Sequence, residues 1–114
     1  MDTKEKIKEL ENQKSQMRKG MLEYCILIIL FKQQKYATEI INELKLADLI
    51  VVEGTLYPLL SRLRQANLLT HTWEESFSGP PRKYYSLTAK GKESLSSLRH
   101  TWSTLNKSIN LLID

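Results

Sequence analysis

Cys25 is the only cysteine in the 114 residues, so no intrachain disulfide can brace the fold and its stability has to come from burial. The two histidines, His71 and His100, lie far apart, and Cys25 sits inside an apolar run. That arrangement offers no metal-ligand spacing, and neither a metal nor any other cofactor is expected. The four glycines are scattered and build no phosphate-cradling loop, and no Ser, His and Asp grouping suggests catalysis. An enzyme is therefore not expected. Long hydrophobic runs are missing too: the longest, Met21 to Phe31, is interrupted by Glu23 and falls well short of the ~20 residues that cross a bilayer. Met1-Asp2-Thr3-Lys4-Glu5-Lys6 holds no hydrophobic region or small-residue cleavage site, so a cytoplasmic protein with no membrane partner is the expectation.

What is present fits one domain. A chain of this length buries roughly 65% of its unfolded surface. The net charge of +4 is compatible with a polyanionic partner and is supporting evidence only. Asp2 followed by Glu5 marks a helix start, after which Ile7, Leu10, Met17 and Met21 make a sparse apolar stripe on a charged helix. Gly20 is expected to loosen a junction. Beyond it Leu22, Cys25, Ile26, Ile29 and Leu30 form a core-facing stripe ending near Gln33. A second helix spans 37–46 with Ile40, Ile41 and Leu44 inward.

Residues 54–64, Gly-Thr-Leu-Tyr-Pro-Leu-Leu-Ser-Arg-Leu-Arg, place Leu56, Leu59, Leu60 and Leu63 on one helical face. Pro58 lacks an N–H and fits only in or just after a first turn, so this helix begins near 53–55. Thr55, Ser61, Arg62 and Gln65 make up its polar side. Two short helices, the second presenting polar residues, match a helix-turn-helix. Leu69 to Ser76 and Lys83 to Leu87 are strand-like, with a tip at Ser78-Gly79-Pro80-Pro81, and complete a winged helix-turn-helix. Thr88 is the N-cap of a last helix in which Leu95, Leu98, Trp102, Leu105, Ile109 and Leu112 recur at alternating intervals of three and four. Such a seam is most economically buried against a second copy, which predicts a homodimer; packing back on the first helix is the other way to cover its early residues. The fold class is mainly α with a small β-hairpin. Its parts are an N-terminal helical extension (1–15), a winged helix-turn-helix DNA-binding domain (16–87) and a C-terminal dimerisation helix (88–114).

The blocks at 54–63 and at 82–91, Arg-Lys-Tyr-Tyr-Ser-Leu-Thr-Ala-Lys-Gly, resemble the PadR family of transcriptional regulators, in its short subfamily with a single C-terminal helix. The likeness covers roughly residues 16 to 112. It departs where relatives have Tyr-Gly and this chain has Tyr36-Ala37, and where a glycine usually follows the recognition helix and this chain has Asn67. Asn is the next most tolerant residue of the left-handed conformation needed there. The resemblance implies a dimeric repressor on an inverted-repeat, double-stranded DNA operator, released by a small and often aromatic effector.

Several residues carry two readings. Tyr57, which the resemblance sets among DNA-facing residues, either reaches a phosphate or base edge or covers the hinge between helices. Thr55 and Ser61 either hydrogen-bond DNA or, for Thr55, cap the helix. Arg62 is a cation able to reach the backbone, while Glu53 either accepts from a cytosine amino group or, the favoured reading, suits the helix N-terminus. Arg82 and Lys83 at the wing either bind phosphate or are merely solvated. Lys90 and Lys92 read as solvated charges, and Trp73 as packing under the hairpin. Trp102, at mid-seam, either sandwiches a flat effector with its partner copy or fills a dimer core; the resemblance adds that some relatives line an intersubunit pore with Trp here. The rival from another class is a winged-helix protein-interaction module whose basic face is incidental.

Overall fold

The computed structural model describes residues 2–114. These form α1 (Thr3–Lys32), α2 (Ala37–Leu46), α3 (Glu53–Gln65), the antiparallel strands β1 (Leu69–Ser76) and β2 (Gly79–Leu87), and α4 (Ala89–Ile113). This is a mainly helical winged-helix fold.

Asp2 starts α1 by accepting the Glu5 N–H at 2.8 Å. The helix then runs 30 residues without interruption, through Gly20 and across residues 15 and 16. The expected junction at Gly20 does not form, because a helical glycine costs only about 1 kcal/mol relative to alanine and the core stripe that follows more than offsets it. That stripe buries Leu22, Ile26, Leu27 and Leu30, with Cys25 and Ile29 at its margin.

Helices α2 and α3 end alike. Asp48 (φ 64°) and Asn67 (φ 62°) adopt the left-handed conformation, and the next amides reach back, Leu49 N–H to Leu44 O at 2.8 Å and Leu68 N–H to Leu63 O at 3.0 Å. Each is a Schellman cap. Leu56, Leu59, Leu60 and Leu63 of α3 close onto Leu22, Ile26 and Leu27 of α1, Ile40 and Leu44 of α2, and Leu69, Tyr85 and Leu95 to form one core.

The hairpin pairs Leu69 with Leu87 through to Glu74 with Arg82, then Ser76 with Gly79. Its turn is Phe77-Ser78, and β2 takes in Gly79, Pro80 and Pro81 as strand residues rather than as the tip. A bulge between Glu74 and Ser76 permits this, setting the two prolines opposite the single residue Glu75. At the wing's base the Lys35 N–H donates to Tyr85 O at 3.1 Å and the Tyr85 N–H to Lys35 O at 2.8 Å, tying the α1–α2 connection to β2.

The start of α4 is fastened to the end of α3. Thr88 accepts the Gly91 N–H at 2.9 Å and donates its hydroxyl to Asn67 O at 2.6 Å, while Leu68 O accepts the Thr88 N–H at 3.1 Å. Gly91 approaches so closely that a Cβ there would lie 2.1 Å from Leu68 O. Lys90, read from sequence as solvated, donates Nζ to Ala66 O at 3.0 Å and so helps to cap α3.

Candidate nucleic-acid interface

On a helix that turns about 100° per residue, Ser61 and Arg64 lie within about 40° of Tyr57, whereas Arg62 is turned about 140° away and Thr55 about 160°. The structure follows that arithmetic. Tyr57 and Ser61 face a cleft of about 520 Å³ completed by Tyr36, Ala37 and Thr38 at the start of α2 and by Trp73, Pro81, Arg82, Lys83 and Tyr85 of the wing. Of the six residues expected at DNA, four therefore share one space: Tyr57, Ser61, Arg82 and Lys83.

The other two lie elsewhere. Thr55 borders a groove shared with Ser15, Arg18 and Lys19 of α1. Arg62 turns toward α1, where its guanidinium pairs with the Glu23 carboxylate. Both are polar like Tyr57 and Ser61, but polarity alone does not fix the angle around a helix axis.

Aromatic rings hold the wing cations. The Arg82 guanidinium sits 4.5 Å from the centroid of Tyr36, which in turn meets Tyr84 edge-on at 5.3 Å. Lys83 Nζ stands 5.5 Å from the Trp73 ring and 5.8 Å from that of Tyr85. Distances under about 6 Å favour cation–π attraction, which orders a long side chain while leaving its charge free for phosphate. Trp73, expected beneath the hairpin, is 65% exposed and serves instead as the platform for Lys83.

Arg64 is a further cation on this side of α3, legible from its spacing of seven residues from Tyr57 and three from Ser61. Its charge reaches into the wing. Burial, then the charges of Arg64 and Lys83, hold the His71 pKa below the usual imidazole value. The Tyr85 hydroxyl is pushed up by burial and by neighbouring Tyr57, with Arg64 opposing. Tyr36 gave no such signal, since its role arises only when β2 folds against the α1–α2 connection. Among the described residues no three His, Cys, Asp or Glu side chains gather to hold a metal ion, and no helix is long and apolar enough to cross a membrane.

Residues 26–97, well over half of the chain, match the transcriptional regulator PadR-like family. The chain belongs to that family. A PadR-like transcription factor from Bacteroides fragilis, solved by X-ray methods, is 58% identical, with 89% of this chain and 98% of that one covered at a TM-score of 0.77. A PadR-like transcriptional regulator from Bacillus cereus is 39% identical over 88% of this chain and 98% of its own, also at 0.77. A PadR family regulator from Eggerthella lenta, 26% identical, covers 100% of this chain and 95% of its own at 0.80. The cleft thus belongs to a DNA-binding transcriptional regulator, whose family comprises regulators rather than enzymes.

In this PadR-family chain a second feature stands apart from the cleft. Past Leu95, which is 3% exposed in its own domain's core, the α4 seam emerges: Leu98, Trp102, Leu105, Ile109 and Leu112 are all exposed, Trp102 by 43%. Where α4 crosses α1, Leu98, Trp102 and Leu105 border an apolar groove of about 310 Å³ with Met17, Met21 and Tyr24.

Proposed function

We propose that the protein is a homodimeric repressor of the short PadR subfamily that binds an inverted-repeat operator and is released by a small planar effector. The observation that carries this reading is the cleft in which Tyr57, Ser61, Arg82 and Lys83 face one space, with Arg64 in a separate groove beside Thr70 and Thr88. Polar groups on α3 suit base edges and phosphates of the major groove, and ring-held wing cations suit the backbone alongside.

Dimerisation is supported by the seam Leu98, Trp102, Leu105, Ile109 and Leu112, whose exposure ranges from 37% to 86%. Leu95 is occupied at home, so the pairing surface starts one step later. A two-fold axis through that seam presents two recognition helices, and an inverted repeat with half-sites about 34 Å apart is the matching DNA. The repressor mode and the cytoplasmic setting are supported by the family resemblance.

The effector reading rests on the groove at Trp102. Its walls include thioether, phenol and indole groups beside leucines, Gln16 and Thr101, and these aromatic and thioether groups favour a flat apolar molecule held by stacking. Such a molecule releases DNA only if it binds the DNA-incompatible arrangement more tightly.

Fluorescence anisotropy against DNA from upstream of the protein's own gene, beside a scrambled duplex and over a range of salt, tests the reading. Three cations per half-site predict a slope of log affinity against log salt of about −5, with a clear preference for the upstream duplex. Weak, equal binding to both duplexes would favour the protein-interaction module. Trp102→Ala is expected to weaken binding of planar ligands while leaving operator affinity largely intact.

A further inference from the structure

Arg62 makes the most specific polar contact between the recognition helix and the rest of the molecule. Its Nε donates to Glu23 Oε1 and its Nη2 to Oε2, a two-pronged pair across 39 residues of sequence. The Glu23 side chain is only 16% exposed, while that of Arg62 is 55% exposed. Around them stand Leu27, Leu63 and Leu98, with Lys90 and Glu93 of α4 at the edge. Lys90 is already engaged with Ala66 O, so Arg62 is the cation that meets the Glu23 carboxylate.

The rest of the grip on α3 is of another kind. Leu56, Leu59, Leu60 and Leu63 are buried, but apolar burial is non-directional and fixes the rotation of a helix about its own axis less sharply than a directional polar contact. A bidentate guanidinium–carboxylate pair has fixed planar geometry and does not. Tyr57 and Arg64 lie on the far side of α3, about 140° and 160° from Arg62, and Ser61 about 100° from it, so a rotation at Arg62 moves all three. Binding constellations generally need to be held within about 10–20°.

We propose that Glu23 and Arg62 form a latch that sets the rotation of the recognition helix, so that Arg62 is a positioning residue for operator reading and not a DNA contact. This deepens the operator-binding reading given above and rests on it. Removing either partner leaves α3 on its core with its cleft residues misaimed.

The test is a double-mutant cycle on the full-length protein. The wild type first selects a tight duplex from a random pool; operator and scrambled-duplex affinities are then measured over a range of salt for Glu23→Gln, Arg62→Gln, the double variant and the charge swap Glu23→Arg/Arg62→Glu. Expected are losses of about tenfold on the selected duplex for each single change. The scrambled duplex should be bound as before, the salt slope should not change, the double variant should lose no more than either single one, and the swap should recover most of the affinity. The proposal is overturned if Arg62→Gln flattens the salt slope by about 0.9 per protomer while Glu23→Gln has no effect, since that is the behaviour of a phosphate contact. Additive losses, or no loss from either change, overturn it equally. Should Arg62→Gln fail to fold, Glu23→Gln decides by the same criteria. A measurement without DNA separates this proposal from the operator reading: Glu23→Gln should shift the NMR resonances of Tyr57 and Arg64, about 140° and 160° from Arg62 around α3. Unmoved resonances there sink the latch even if no duplex is ever selected.

Discussion

The inner halves of α1 and α4 and their outer halves are continuous helices under different rules. From Leu22 to Leu30 α1 is core, while residues 3–21 are exposed throughout; α4 is buried at Gly91 and Leu95 and exposed from Leu98 onward. Inside the body, burial of large aliphatic side chains contributes about 1.5–3 kcal/mol each. Outside it, α1 has the Asp2 cap and exposed side-chain pairs such as Lys14 with Glu11 and Gln13 with Glu9, worth a few tenths each. Most helical stability in proteins comes from tertiary packing rather than from propensity, and this stretch has little such packing. The body is held by its own core, whereas the arms draw little stability from contacts of their own.

The largest effect is expected from attacking the body at its tightest point. Gly91→Ala places a methyl group against Leu68 O, and chemical denaturation should show a loss of about 3 kcal/mol. An arm responds differently. Ile109→Glu should leave the midpoint of body unfolding almost unmoved yet give a monomer by light scattering, with operator affinity down at least about a hundredfold through lost avidity. A body that unfolds together with its arm in that variant would abolish the distinction.

Arg64→Gln acts on the body's surface alone. It should flatten the salt slope by about 1.8 per dimer without changing stability, and an unchanged slope would remove Arg64 from the interface. The smallest effect concerns His71, whose Nδ1 is buried and meets no hydrogen-bond partner among the described residues. Burial first, then Arg64 and Lys83, lower its pKa from the ordinary 6.5. The native state then binds fewer protons than the unfolded one just below that value, so body stability is present above pH 6.5 and lost as the pH falls beneath it. His71→Asn should flatten this part of the stability–pH curve.

Much of the body was legible in sequence because its signals are local. The leucines of α3 share a face, Thr88 caps α4, Asn67 supplies the left-handed residue and Pro58 pins the start of α3. What was not legible shares a cause, which is that a distant segment decides the role of the residue. Gly91 is demanded by a carbonyl on another element, Lys90 finds Ala66 O, and Leu95 is claimed by its own core before any partner could reach it. Arg62 and Arg64 are the exception. Their separation on the helix was available by counting, and grouping residues by polarity hid it. Asp48 likewise gave no warning, since an aspartate at the end of a helix usually reads as turn chemistry rather than as a positive φ.

Pro80 and Pro81 have a bearing on solubility. A two-stranded wing has two free edges, each a template on which a neighbouring molecule can add a strand and begin to aggregate. Along β2 the inner part of that edge is taken by Lys35, and the outer part carries two residues with no N–H to offer. Along β1 the exposed carboxylates of Glu74 and Glu75 repel a second strand of the same kind. The wing can therefore project from the body as a lone ribbon, even where many copies of the protein crowd together, without zipping onto its neighbours.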